Sequence, residues 1–240
     1  MAAPIFKYFG SKYRLAAHYP APRYPTVVEG CAGSACYALR HSVRNAILFE
    51  LNPRIYELWR WLINDATEAE VLALPVGLEI GEDIRDVGRR LGLPPGAVEL
   101  MVRWQRNGRN HAYTVSKWGT GRSNGVGAMS GYWSEQIRKR VADTLPLIQN
   151  WHVERLNVLD VGNFRDPVTW FIDPPYQHVR DNVYGCAPID YPRLADWCRA
   201  RHGQTIVCEG EGADWLPFEP LKMNKNMRGN ATGELIWTKG

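Results

Sequence analysis

Thr169-Trp170-Phe171-Ile172-Asp173-Pro174-Pro175-Tyr176 is an apolar run that stops abruptly in an acid, two prolines and an aromatic ring. Trp170, Phe171 and Ile172 read as a short buried strand. Two prolines cannot extend a hydrogen-bonded ladder, so the Asp173 carboxylate is expected where the strand ends. In open α/β sheets that edge is where ligands bind. The fixed φ of each proline stiffens the turn, so the Asp173 side chain, the Pro174 carbonyl and the Tyr176 ring are expected to project into one cleft. An acceptor pair beside an aromatic plate suits a flat molecule that carries an amino group. Taken alone, a strand end with a solvated Asp reads equally well, and the neighbouring segments decide between the two.

Upstream, the chain has the rhythm of a nucleotide-binding sheet. Thr26, Val27 and Val28 read as a buried strand, Gly30 through Ser34 as a tight turn of small residues, and Ala35 to Arg40 as the start of a helix. Such a loop has to be small for its backbone to touch a ligand. A second apolar strand ends at Glu50, roughly twenty residues after the first turn, where an acid commonly accepts hydrogen bonds from ribose hydroxyls. Pro53 then opens a helix to about Asn64, with Ile55, Leu58, Trp59 and Leu62 at core spacing. Nearer the N-terminus, Tyr8 precedes Gly10-Ser11-Lys12, a small-residue pair and a cation that can reach an anionic group. On its own that segment reads more simply as a surface turn.

Between Asp65 and about Leu145 the alternation breaks. Helices are expected at 68–74, 83–91 and 97–106, with Pro94-Pro95-Gly96 as an interruption. Arg103, Arg106, Arg109, Lys117, Arg122 and Arg138 are interleaved with Trp104, Tyr113, Trp118, Tyr132 and Trp133 around a glycine-rich stretch at 121–131. Cations meet phosphates and rings meet bases, so this reads as a nucleic-acid-binding insertion, against the plainer reading of a solvated face. A helix over 134–149 leads back to the sheet. A strand and turn over 151–160 deliver Asn157 and Asp160, and the polar loop from Gln177 to about Pro188 is long enough to cover a cleft. A helix at 191–201, a strand at 204–208 and a closing hairpin through Glu234-Leu235-Ile236-Trp237 complete the chain. The expected architecture is α/β: a Rossmann-like sheet formed by 1–64 and 146–240, with a mainly helical insertion at 65–145.

Hydrophobic residues make up 45% of the 240 and charged residues 22%, an ordinary balance for a globular protein. No apolar run approaches the ~20 residues that span a bilayer, so no membrane partner is expected. No charged stretch followed by an apolar one opens the chain, so no secretory signal is expected and the cytosol is the expected location. Five cysteines, an odd number without C-x-x-C spacing, argue against a disulfide framework and against a zinc site. No metal is expected. A net charge of +4 and a pI near 8.8 are compatible with a polyanionic partner.

Taken in order, these segments resemble the Dam-like (D12 class, α-group) adenine-N6 DNA methyltransferases. Lys7 to Lys12 matches the family's opening Lys-aromatic-x-Gly-Gly/Ser-Lys motif, and Glu29 to Ala35 its Glu-Pro-Phe-x-Gly-Ser-Gly loop. Glu50 matches its acidic strand end and Asp173 to Tyr176 its Asp-Pro-Pro-Tyr, and the likeness reaches the terminal Glu-Leu-Ile hairpin. Three loop positions depart from the pattern: Gly30 stands for proline, Cys31 for phenylalanine and Ala35 for the last glycine. The insertion matches only loosely, through Arg106-Asn107-Gly108.

The resemblance implies an S-adenosylmethionine-dependent fold and activity, double-stranded DNA as partner, and a monomer or weak dimer. It implies that Asp173 and the Pro174 carbonyl accept the two N–H bonds of the target amine, that Pro175 stiffens the turn, and that Tyr176 stacks on the base. By the same resemblance Tyr8, Lys12 and the loop Glu29, Gly30, Cys31, Ala32, Gly33 and Ser34 hold the methionine end of the cofactor, and Glu50 its ribose. Asn157 or Asp160 holds its adenine, Asp160 being the first choice, with Gly10, Ser11, Leu51, Asn52, Val158 and Asp173 at the same site. Rival readings are methylation of cytosine N4 or of an RNA amino group, and a DNA-binding protein on the same scaffold. Asp at the first motif position favours adenine, since cytosine-N4 enzymes more often carry Ser there. A dinucleotide oxidoreductase is disfavoured because the first turn lacks G-x-G-x-x-G. Any partner restriction enzyme of a phage or bacterial restriction-modification pair would be a separate chain.

Overall fold

Strand β4, Val168–Ile172, is buried along its whole length, as a central parallel strand covered on both faces has to be. The computed structural model that contains it describes residues 4–105, 113–115, 133–178, 189–221 and 233–240. Parallel neighbours flank β4: β1 (Thr26–Glu29) on one side and β5 (Gly203–Glu209) on the other. Beyond β1 lie β2 (Asn45–Phe49) and β3 (His152–Glu154), also parallel. Beyond β5, β7 (Leu235–Lys239) runs antiparallel and carries the two-residue β6 (Glu219–Pro220) at the edge. Among the described residues the order is therefore 3-2-1-4-5-7-6 in one seven-stranded sheet. Its first five positions follow a doubly wound sheet, in which the chain grows outward from β1 and then resumes on β1's other side with β4. That reversal opens a crevice above the carboxyl ends of β1 and β4.

Side chains alternate across β4, and each face has its own helices. Phe171 packs with Tyr37 of α1 (Cys36–Arg40), their rings stacked at 4.3 Å and 5°. Leu58 of α2 (Pro53–Arg60) belongs to the same face. Trp170 and Ile172 point the other way and pack with Leu194 and Trp197 of α7 (Tyr191–Arg199), the two indoles edge-on at 5.2 Å. Ile55, Leu58, Trp59 and Leu62 are all buried, as their spacing predicts. Asn52 caps α2 by accepting from Arg54 N–H, Pro53 fills the first turn, and a π-helical turn at Trp61–Asp65 carries the helix to its expected end.

The described residues of the 65–145 segment are mainly helical: α3 (Glu68–Ala73), α4 (Ile84–Leu91), α5 (Pro95–Gln105) and α6 (Glu135–Ile148). Helix α5 starts two residues earlier than the sequence suggests, because a proline in the first turn needs no hydrogen-bond partner for its nitrogen. Val71, Ile84, Leu100 and Val141 share one continuous apolar core with Phe6, Trp59 and Val27. The described helices of this segment thus pack onto the sheet within one shared core. Among the described residues, no helix is long and apolar enough to cross a membrane.

Candidate functional site

A cavity of about 400 Å³ opens above the carboxyl ends of the strands at the β1/β4 switch. That volume lies in the small-molecule range of roughly 300–1,000 Å³. Backbone hydrogen bonds tie the strand ends that floor it. Gly30 N–H donates to the Phe171 carbonyl at 2.9 Å, Ala32 N–H to the Phe49 carbonyl at 3.1 Å, and Glu50 N–H to the Glu154 carbonyl at 3.1 Å.

The turn after β1 is shaped by missing side chains. A Cβ on Gly30 would stand 2.5 Å from Ile172 Cδ1 and 2.9 Å from Val158 Cγ2, so there is no room for a side chain. Gly33, at φ +47°, lies against the Tyr8 ring, where a Cβ would be 2.8 Å from Cδ1. Ala35 adopts the left-handed conformation (φ 46°, ψ 42°) at a cost of about 1 kcal/mol. Trp59 Nε1–H donates to the Gly33 carbonyl at 2.8 Å and anchors the turn from α2.

Two buried carboxylates fasten the same turn. Glu50 accepts from Gly33 N–H at 2.9 Å and from Asn52 N–H at 2.8 Å, and Glu29 accepts from Ala38 N–H at 2.8 Å. Burial raises both carboxyls above their ordinary range, while the backbone donors pull the other way. Glu29 is pushed up to about 8 and is mostly neutral at pH 7.

The turn after β4 is built on charge. Lys12 Nζ lies 2.8 Å from Asp173 Oδ1, donates to the Gly10 carbonyl at 3.1 Å, and stands 4.5 Å from the centre of the Tyr176 ring. Burial alone would lower the Lys12 pKa, but Asp173 and Glu234 outweigh it, and the ammonium is held above its ordinary value. Burial raises the Asp173 carboxyl and Lys12 opposes that rise. Their contact is an ion pair. The Tyr176 hydroxyl donates to Glu234 Oε1 at 2.8 Å, and the same oxygen accepts from the Tyr19 hydroxyl at 2.5 Å. Tyr191 O–H donates to the Pro175 carbonyl at 2.8 Å, and Gln177 N–H donates to Glu209.

Most sequence-selected residues meet here. Tyr8, Gly30, Cys31, Gly33, Glu50, Leu51, Asn52, Asn157, Val158, Asp173, Pro174 and Pro175 line the cavity. Gly10, Ser11, Lys12, Glu29, Ala32 and Ser34 surround a small recess behind it. Asp160 is a correction: it faces solvent near Arg193, at 3.4 Å, while Asn157 lines the cavity and caps the 3₁₀ turn Val158–Asp160 through Leu159 N–H. Tyr176 lines neither space. Phe49, Leu156, Leu159, Ile189 and Leu194 line the cavity as well, and sequence reading passes over them as ordinary apolar residues.

The nucleic-acid set fares differently. Arg103 is 2% exposed and pairs with Glu99 at 2.6 Å, which also meets Arg54 at 2.8 Å, so this arginine serves the interior and not a DNA-facing surface. Arg138 donates to the Leu74 carbonyl at 2.7 Å and joins α6 to the end of α3. Trp104 and Trp133 are buried and donate to the backbone carbonyls of Ile5 and Pro75. Arg106, Arg109, Lys117, Trp118, Arg122 and Tyr132 lie outside the described residues, as does most of the loop after Tyr176. Among the described residues, no group of three or more His, Cys, Asp or Glu is arranged to hold a metal ion. No protein-family model matches this chain, and a search of curated proteins finds no similar sequence.

Proposed function

We propose that this protein is a site-specific DNA adenine-N6 methyltransferase that uses S-adenosylmethionine. The observation that carries the reading is the Asp173-Pro174-Pro175-Tyr176 turn at the end of β4, whose first three residues border a cavity shared with the Gly30–Gly33 turn and Glu50. The residues fit that cofactor. Gly30 and Gly33 bring bare backbone to the cavity wall beside Tyr8. Glu50 already accepts from backbone N–H groups of Gly33, Asn52 and Leu51, and a carboxylate has about four acceptor sites, so capacity remains for a ribose hydroxyl. Asp173, paired with Lys12 at 2.8 Å, places a carboxylate beside a ligand that carries a positive charge.

The cofactor supplies a methyl group already activated on a sulfonium, and the protein supplies alignment and a charge-matched site. The exocyclic amine of adenine is a poor nucleophile because its lone pair is delocalised into the ring. Asp173, with Oδ1 on Lys12, and the Pro174 carbonyl would accept its two N–H bonds and turn the lone pair toward the methyl; as the N–C bond forms, the methyl's bond to sulfur would break to leave a neutral thioether, and the amine's surplus proton would pass by way of Asp173 to water. Tyr176 stacks on the base. Extruding that base from a duplex costs a few kcal/mol, offset by stacking and phosphate contacts. The test is incubation of unmethylated DNA with S-adenosylmethionine, followed by nucleoside mass spectrometry. The reading expects N6-methyladenine with the wild type and none with Asp173→Ala. Methylcytosine, or methylation of RNA alone, would reassign the target, and absence of any transfer would remove the reading.

A further inference from the structure

Strand β7 is antiparallel to β5, so its first residues reach the carboxyl edge of the sheet, the edge that the ends of β1, β2 and β4 also form. The register pairs Leu235 with Glu209 at the end of β5. Glu234, one residue before, therefore stands beside Gly210 and against the turn after β4. Its Oε1 accepts from two phenols, Tyr176 at 2.8 Å and Tyr19 at 2.5 Å. Gly210 closes on the same ring, since a Cβ there would be 2.7 Å from Tyr176 Cδ2. Lys12 stands over the ring at 4.5 Å. Tyr176 is thus held at its hydroxyl, along its edge and over its face by three separate segments.

On the reading given under Proposed function, we infer that Glu234 is a positioning residue for the target base: it fixes the Tyr176 ring through its hydroxyl before the base arrives, with Tyr19 as the second strut. The reversed C-terminal strand then serves base capture while the parallel strands serve the cofactor. Removing the acceptor lets the ring turn, so the flipped base is stacked less well although the cofactor cavity is unchanged.

The experiment measures methyl transfer as a function of DNA and of cofactor concentration for wild type, Glu234→Gln, Glu234→Ala, Tyr176→Phe and the Glu234→Ala/Tyr176→Phe double variant. S-adenosylmethionine binding is followed by calorimetry, and folding by thermal melts. Glu234→Ala should lose about ten- to a hundredfold in kcat/KM for DNA, with cofactor affinity within about twofold of wild type. Glu234→Gln, which keeps an acceptor oxygen of the same shape, should recover most of the loss. Tyr176→Phe should lose as much as Glu234→Ala, and the double variant no more than either, because hydroxyl and carboxylate act as one unit. Wild-type kinetics for a folded Glu234→Ala would overturn the inference, as would additive losses or a parallel fall in cofactor affinity. A wild type that binds cofactor and transfers methyl while Glu234→Ala is unimpaired sinks this inference alone. A wild type without transfer sinks it together with the reading beneath it.

Discussion

Glu29 and Asp173 are acids at the ends of adjacent parallel strands, Glu29 buried and Asp173 partly so, and they are held in opposite ways. Glu29 is met by backbone N–H groups of α1 and by no cation in the contacts described above, and burial pushes it up to about 8. Burial raises the Asp173 carboxyl too, but Lys12 at 2.8 Å opposes that rise and pairs with it. The turn that follows each differs in the same sense. After Glu29, room for backbone is made by the absence of side chains at Gly30 and Gly33, whereas Tyr176, beyond Asp173, is clasped by the Lys12 cation over its ring and the Glu234 carboxylate at its hydroxyl. A neutral, backbone-satisfied acid is a structural fastener. A charged acid with its own counter-ion at a cavity wall is suited to meet a ligand.

The largest expected effect breaks the charged side of this comparison. Lys12→Met leaves the partly buried Asp173 without its counter-ion and should cost about 3 kcal/mol in chemical denaturation at pH 8. The sign of the pH dependence follows from Asp173 itself. Without Lys12 its folded-state pKa rises further above the unfolded value, so the penalty is full at high pH and shrinks as the pH falls and the carboxyl takes up a proton. An equal loss at pH 5 and pH 8 would mean that Asp173 is not charged in the wild type.

A smaller effect tests the steric side. Gly30→Ala should destabilise by about 2 kcal/mol through overpacking against Ile172 and Val158. Adding Ile172→Val removes the Cδ1 atom in the way, so the double variant should lose less than the sum of the two single changes. Smallest at neutral pH is Glu29→Gln, expected within about 1 kcal/mol of wild type because the amide oxygen can accept the same N–H groups. Here the folded carboxyl lies above its unfolded value. Its contribution is complete below the unfolded pKa of 4.5 and is lost as pH rises through about 8. Melting curves from pH 5 to 9 should therefore fall less steeply for Glu29→Gln than for the wild type, and parallel slopes would argue that Glu29 is ionised after all.

What sequence alone made legible follows the physics of each feature. Strand β4 and the position of Asp173 are local: an apolar run stopped by two prolines fixes both. Glu50 is legible for the same reason, as the acid at the end of a run of apolar residues. Lys12 as the partner of Asp173, and Glu234 as the acceptor for Tyr176, depend on how distant segments meet at one sheet edge, and local pattern holds no record of that. Asn157 and Asp160 looked alike because both follow β3. The strand ends at Glu154 and a 3₁₀ turn then sends Asp160 outward, a rotation that three residues of pattern cannot reveal. Arg103 has the same origin. Its i, i+4 spacing from Glu99 is visible in the sequence, but the burial that turns the pair into an interior brace comes from α5 packing on α2 and the N-terminal segment.

The most direct measurement is nucleoside mass spectrometry of unmethylated DNA after incubation with S-adenosylmethionine and either wild type or Asp173→Ala. The account predicts N6-methyladenine from the wild type and a background signal from the variant. A wild type that binds DNA yet yields no methylated nucleoside, or an Asp173→Ala variant that methylates as well as the wild type, would contradict it.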